Sequence, residues 1–323
     1  MKKTSIGGSA LIEGLMMIGP KNAAISIRKP DGEIFTELRD LPKRDKLVKI
    51  PILRGVISFF RQMILVFKAM MFSAKFVELE DEEVKTQGKL SKKFDEWLEK
   101  GLGKLFGDKA IDWIVYFAVA FSLVLTVVLF ILLPNFLAGL LGFALEKNAT
   151  HDFWQVVRLN LFEGLLRISF FFFYVYFASK LEDIKRVWQY HGAEHKTIHC
   201  YEAEEELTVE NVRKYSTKHP RCGTSFMILV LLISVILFSF TGWHSIILNI
   251  LIRLLLVPLV AGLSYELLKF AGRCEGRWIR ILNAPGLAFQ KLTTKEPDDL
   301  QIAVAIEAMK NVIVEEDKKL DEW

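Results

Sequence analysis

The sequence predicts a mainly α-helical, polytopic membrane protein. It reads as four transmembrane helices, amphipathic or interfacial helices on the N- and C-terminal sides, and a small N-terminal β-hairpin. Three observations predict this class. Apolar residues fill 52% of the 323 positions while charged residues still fill 25%, so a soluble protein's charge load coexists with more hydrophobicity than the roughly 45–50% of a soluble domain. Four segments are long and apolar enough for a hydrocarbon core of about 30 Å. The basic residues, finally, alternate between crowded and nearly empty connections. Three cysteines exclude a disulfide framework. A balance of 42 basic against 38 acidic residues, +4 overall, gives no reason to expect sequence-specific nucleic-acid binding.

Residues 1–52 read as an N-terminal segment on the cytoplasmic side. The Met-Lys-Lys start is not followed by an apolar core, because TSIGGSALIEGLMMIGP (4–20) is broken by glycines and carries Glu13, so a cleaved signal peptide is not expected. Ala23–Ile27 and Ile34–Leu38 flank Lys29-Pro30-Asp31-Gly32, a tight-turn sequence that predicts the hairpin. Residues 53–110 read as interfacial helices joined by a charged linker. In 53–77 the charges Arg54, Arg61, Lys68 and Lys75 fall seven apart, a spacing that drifts only about 20° per step around a helix and gives one basic stripe on an apolar rod. Two charges at mid-length make a free-standing span costly, so an interfacial or re-entrant helix is expected. After the charge-dense stretch 78–93, Phe94, Trp97, Leu98, Leu102, Leu105 and Phe106 recur at the spacing of a second amphipathic helix.

Residues 111–270 form the expected four-helix transmembrane domain, with spans at 111–133, 153–179, 223–241 and 246–270 and a His-rich loop at 180–222. Residues 271–323 are expected as a helical cytoplasmic tail, its helix announced by Pro297-Asp298-Asp299. Residues 1–110 carry 21 Lys and Arg, 134–152 only Lys147, 180–222 eight, 242–245 none, and the tail from 269 nine. That alternation puts both termini on the cytoplasmic side.

The chemistry concentrates in His191-Gly-Ala-Glu194-His195-Lys-Thr-Ile-His199-Cys200-Tyr-Glu202. Steps of four put His191, His195 and His199 on one helical face, about 40° apart in projection. Two imidazoles at i and i+4 suit one divalent cation, zinc first, and H-x-x-E-H matches a metalloprotease spacing in which Glu194 is the catalytic acid–base. His219 and Cys222 lie just before the third span and Glu266 near the inner end of the fourth. A site of His191, His195 and one of His199, His219, Cys222 or Glu266 would leave an open coordination position. The bland alternative is a His-rich helix at the headgroup level. Glu163 and Arg253, both inside spans, are expected to form a buried packing pair, the sharper alternative being a polar path. Met16, Met17, Met63, Met70 and Met71 read as core, or as an adaptable surface for hydrophobic clients.

GGSALIEGLMMIGP (7–20), Pro30-Asp31-Gly32, RGVISFF (54–60), YHGAEHKTIHCYE (190–202), HPRCGTSF (219–226), PLVAGLSYE (258–266) and TTKEPDD (293–299) occur in this order. Together they resemble the DUF1385 family of YqhQ-like bacterial integral membrane proteins, across nearly the whole chain. The resemblance implies a multi-pass protein of the bacterial cytoplasmic (inner) membrane and a broad classification as a metal-dependent enzyme. It points to His191, Glu194, His195, His199, His219 and Cys222 as site residues. The family pattern carries an Arg before the Gly-Pro of the first motif where this chain has Ile18, so no anion-binding role is carried over to that loop. Three functions follow as expectations. The first is a metal-dependent hydrolase with a cytoplasmic-face H-x-x-E-H-x3-H site. The second is a non-enzymatic biogenesis, translocase-associated or scaffold factor with membrane-protein partners. The third is a lipid- or solute-handling protein using Glu163, Arg253 and Glu266. The lipid bilayer is a partner in all three.

Overall fold

The computed structural model of the chain describes residues 3–41, 50–77, 110–145, 153–242, 246–274 and 276–314. Its strands are β1 (Gly7–Leu11), β2 (Gly14–Ile18), β3 (Asn22–Arg28) and β4 (Ile34–Asp40). Its helices are α1 (Leu53–Val77), α2 (Ala110–Val127), a π-helical turn at Val128–Leu132, α3 (Leu133–Leu145), α4 (Phe153–Ala178), α5 (Glu182–Glu202), α6 (Val209–Arg213), α7 (Gly223–Ser239), α8 (Ile246–Arg273), α9 (Arg277–Thr293) and α10 (Asp299–Lys310). The expected charged linker at 78–93 and the second amphipathic helix at 94–106 lie outside the described residues.

The expected hairpin is β3–β4, but it is half of a four-stranded antiparallel meander in the order β1-β2-β3-β4. Gly8, Gly14 and Gly19 do not break structure; they permit close approach. A Cβ on Gly8 would lie 2.6 Å from the Met16 carbonyl oxygen, well inside van der Waals contact, so only glycine lets β1 and β2 pair there. Side chains alternate across the sheet. Leu15, Met17 and Ala24 enter one core and Met16, Ala23, Ile25 and Ile27 the other. The first core is closed by α5 and α10, the second by the C-terminal half of α1 through Leu65, Val66, Ala69, Phe72 and Phe76. Burying each such Met, Ile or Leu contributes about 1.5–3 kcal/mol. The anticipated tail helix is α10, opened by a capping box in which the Asp298 carboxylate accepts from Gln301 N and the Gln301 side chain accepts from Asp298 N.

Among the described residues, four helices are long and apolar enough to cross a membrane by length and composition: Leu53–Phe76, Ala120–Leu140, Trp154–Ala178 and Ile247–Arg273. Four were expected, but the set differs. Residues 53–76 qualify by length, whereas α7, although strongly apolar, has only 17 residues. The first expected span also does not end at 133. The helix passes through the π-helical turn and continues to Leu145, so the expected connection at 134–152 is shorter. Pro134 explains the join: it has no N–H to offer the Phe130 carbonyl, and that carbonyl instead accepts from Arg167 Nε at 2.9 Å.

Arg167 belongs to a buried polar knot that ties these helices together. The expected pair forms, Arg253 to Glu163 at 2.5 Å. Arg167 and Asn135 also donate to the Glu163 carboxylate at 2.6 and 3.0 Å. Both guanidinium groups lie over the Phe238 ring, 5.0 and 5.7 Å from its centroid, a further source of compensation for cations in an apolar setting. Nearer the sheet, α1 crosses α8 where Gly55 meets Gly262 and Tyr265. There Arg54 forms a two-pronged ion pair with Glu266, which also accepts from Ile52 N.

Candidate metal centre

Helix α5 supplies the site because its 3.6-residue period stacks His191, His195 and His199 along one face, as expected, and because the sheet and α10 bury the helix around them. The ring centroids of His191 and His195 are 4.4 Å apart. Cys222 approaches from outside the helix. It is the N-cap of α7, its sulfur accepting from Thr224 N at 3.4 Å, and it meets His191 Nε2 at 3.1 Å. One donor atom each from His191, His195 and Cys222 can be chosen so that all lie within 4.8 Å of one another.

The two imidazoles are oriented alike. His191 Nδ1 bonds the Thr293 carbonyl at 2.8 Å and His195 Nδ1 bonds the Thr217 carbonyl at 2.6 Å. A carbonyl accepts only, so each Nδ1 carries the proton and, in the neutral ring, each Nε2 keeps its lone pair. His195 Nε2 is buried with no hydrogen-bond partner among the described residues, and so is Glu194 Oε2. Glu194 is itself buried against β1, where a Cβ on Gly8 would lie 3.0 Å from its carboxyl carbon.

The electrostatics follow from this crowding. Burial pushes the Glu194 carboxyl above its ordinary value, and the facing histidines only partly offset it. Burial alone would raise the Cys222 thiol, yet His191 and His195 hold it well below its usual range. Burial alone would lower His191, yet the Cys222 sulfur overrides it and holds the ring up at about 9.

His199 and His219 are not in this group. With Glu202 they make a second one, their donor atoms also within 4.8 Å of one another. Here the partners are taken. Glu202 accepts from Thr4 N at 2.8 Å, from Arg221 and from His219 Nε2 at 3.4 Å. His219 Nδ1 accepts from Arg221 N at 3.3 Å, and His199 Nε2 bonds the Lys218 carbonyl at 2.9 Å. Burial pushes His219 down to about 4, so it stays neutral. Glu266 joins neither group. Its carboxylate is committed to Arg54 and Ile52 N, as described above, which removes it from the expected set of metal ligands.

Sequence reasoning missed several groups that build the site. The Thr217 and Thr293 carbonyls are backbone atoms with no sequence signature. Gln290 brackets the His219 peptide, accepting from its N–H and donating to its carbonyl at 2.8 Å each. It lies 71 residues away, and no periodicity links the two. Gly192 was visible inside the motif but its purpose was not. A Cβ there would collide with the Lys295 carbonyl oxygen, because the chain from Thr293 to Pro297 rides directly over α5 and Lys295 N donates to the Trp188 carbonyl at 2.9 Å.

Fold and site together define a protein with membrane-type helices and a buried His-His-Cys cluster held beside a small sheet. The chain belongs to the family described as "Protein of unknown function (DUF1385)", whose model matches residues 50–315. It is similar to "Uncharacterized protein YqhQ" of Bacillus subtilis (strain 168), 33% identical over 311 residues that cover 95% of this chain and 92% of the relative. No solved structure matches.

Proposed function

We propose that the protein is a membrane-embedded, metal-dependent hydrolase whose centre is held by His191, His195 and Cys222, with Glu194 as its acid–base. One observation carries this reading: the buried Nε2 of His195, with its Nδ1 proton already given to Thr217, has no hydrogen-bond partner among the described residues. A buried acceptor left so costs about 1–3 kcal/mol, and a cation shared with His191 Nε2 and the Cys222 sulfur would remove that cost. The donor set suits zinc, which takes imidazole and thiolate ligands and leaves a fourth position open in catalytic sites. Such an ion supplies Lewis acidity and activates water at neutral pH. The chain's own part is orientation and proton handling. Thr293 and Thr217 fix both rings, the α7 N-terminus steadies the sulfur, and Glu194, with its raised affinity for a proton, takes one from the attacking water and returns it to the leaving group.

Cys222 caps an apolar helix, which favours a centre at the membrane boundary. The distribution of Lys and Arg supports both termini on the cytoplasmic side of a bacterial inner membrane. A second reading has its own support: a sulfur at a helix N-terminus, 3.1 Å from an imidazole nitrogen, is also the arrangement of a cysteine nucleophile activated by a histidine. Metal analysis combined with alkylation separates the two. Purified protein is expected to carry about one equivalent of zinc, with Cys222 resisting iodoacetamide until a chelator is added, and His195→Ala is expected to lose both properties. A metal-free protein whose Cys222 alkylates at once would overturn the metal reading in favour of the nucleophile.

A further inference from the structure

Beyond the centre itself, the lipid-facing side of α4 carries a groove of about 480 Å³ lined by Ile168, Ser169, Phe172, Phe173, Tyr176 and, from α9, Leu292. That volume falls within the range of about 300–1,000 Å³ typical of clefts that hold small ligands. Its floor is fixed by aromatic packing across the two helices, since Phe171 and Phe172 each lie 5.3 Å from Phe289. The walls are apolar, and a lysine neighbours each of two lining residues. Lys180 is exposed beyond Tyr176 with its Nζ 4.9 Å from that ring's centroid, and exposed Lys291 immediately precedes Leu292. No carboxylate pairs with either lysine among the described residues. The free face of α9 continues the pattern, with Trp278 83% and Ile281 63% exposed beside exposed Arg277 and Arg280. An apolar stripe edged by cations and tryptophan is the dress of a helix lying at the headgroup level.

We infer that this groove is a binding site for one anionic phospholipid, with an acyl chain along Ile168–Tyr176 and Leu292 and the phosphate between Lys180 and Lys291. Charge complementarity selects the occupant. A neutral lipid or an apolar peptide would leave both lysines unanswered, whereas a phosphate at the mouth answers them while the chain fills an apolar slot continuous with the bilayer-facing surface of α4. Leu292 adjoins Thr293, whose carbonyl orients His191, so the bound lipid lies next to the candidate centre. The inference does not depend on a metal being there.

The test uses the full chain in nanodiscs containing phosphatidylglycerol with a photoactivatable diazirine in its acyl chain, and crosslinked peptides are then mapped. Crosslinks are expected to concentrate on 168–176 and 286–292. Lys180→Gln with Lys291→Gln, both at exposed positions, is expected to lower capture about 30-fold, given about fivefold per basic residue at an anionic surface. Ser169→Trp is expected to block the slot. An analogous phosphatidylcholine probe should label this site weakly, inorganic phosphate should not compete, and His195→Ala should label like wild type. Even labelling of all apolar helices, equal capture of the two headgroups, displacement by inorganic phosphate or capture of a protein instead would each overturn the inference. The His195→Ala arm keeps it separate from the fate of the metal reading.

Discussion

Helix α5 presents two triads of potential ligands one turn apart, and they differ in how their partners are used. In the His199–Glu202–His219 group the carboxylate already holds Arg221, Thr4 N and His219, and His219 Nδ1 already accepts from Arg221 N. In the His191–His195–Cys222 group the carbonyls take only the outer nitrogens. The inner nitrogen of His195 and one oxygen of the adjacent Glu194 are left buried without a partner among the described residues. Proximity of ligand-type atoms therefore does not by itself mark a metal site; an unmet acceptor among them is what supports the proposed one. The first group reads as a lock between the N-terminus, α5 and the segment before α7, and the second as the group that would hold the cation of the proposed function.

The largest test of that contrast is ligand removal. Loading with cobalt(II) is expected to give a thiolate charge-transfer band in wild type. Cys222→Ser and His195→Ala are each expected to lose the band and weaken binding by at least about 100-fold, the upper end of what second-shell changes alone cost. His199→Ala should keep the band, and loss of cobalt in that variant as well would merge the two groups into one site. Next in size is the lock. Glu202→Gln removes the charge that Arg221 and His219 pair with and is expected to cost about 3–5 kcal/mol in denaturant unfolding, with cobalt stoichiometry unchanged. A stable variant that loses cobalt would invert the assignment of roles.

Smaller again is a pH effect at the far end of the same helix. Glu13, held at φ 49° in the β1–β2 turn, pairs with Arg186 of α5 and Arg28 of β3. Burial would raise its pKa, but the two guanidinium groups hold it below 4.5. Because the folded value is the lower one, the pair's contribution is complete above the unfolded value and fades as pH falls through the folded one. Thermal unfolding between pH 6 and 3 should therefore show a steeper acid loss in wild type than in Glu13→Gln. Parallel curves would deny the pairing any energetic weight. The smallest effect is expected from Tyr215→Leu, whose ring stacks on His199 at 6.4 Å. A change of about 0.5–1.5 kcal/mol in stability, the usual worth of an aromatic pair, with intact cobalt binding, would again set the second group apart from the first.

The helical phase of His191, His195 and His199 was legible because a period of 3.6 is written directly in a spacing of four. The tail helix was legible from Asp298 and Gln301, and the Glu163–Arg253 pair from the cost of burying either alone. Other features could not be read for specific reasons. Glycines at 8, 14 and 19 look like interruptions until the backbones they admit are known, so half of the sheet was hidden. Glu266 looked available to the histidines because its true partner, Arg54, is 212 residues away and bonds it through a helix crossing. The division of six ligand-type side chains into two groups was equally hidden, since it is decided by carbonyls and by Gln290 rather than by the ligands themselves.

The clearance at Gly192 has a consequence for how the motif is recognised. In H-G-A-E-H the outer letters name chemistry, but the second names a track: a groove one hydrogen atom wide through which the chain carrying Thr293 and Lys295 passes over the helix. A methyl group there would lift that chain and take the Thr293 carbonyl away from His191 without altering any ligand. A pattern that accepts any residue at this place would gather proteins with the right letters and no way to aim them. Requiring glycine turns a five-letter coincidence into a statement about two segments a hundred residues apart, 191 and 293, that must travel together.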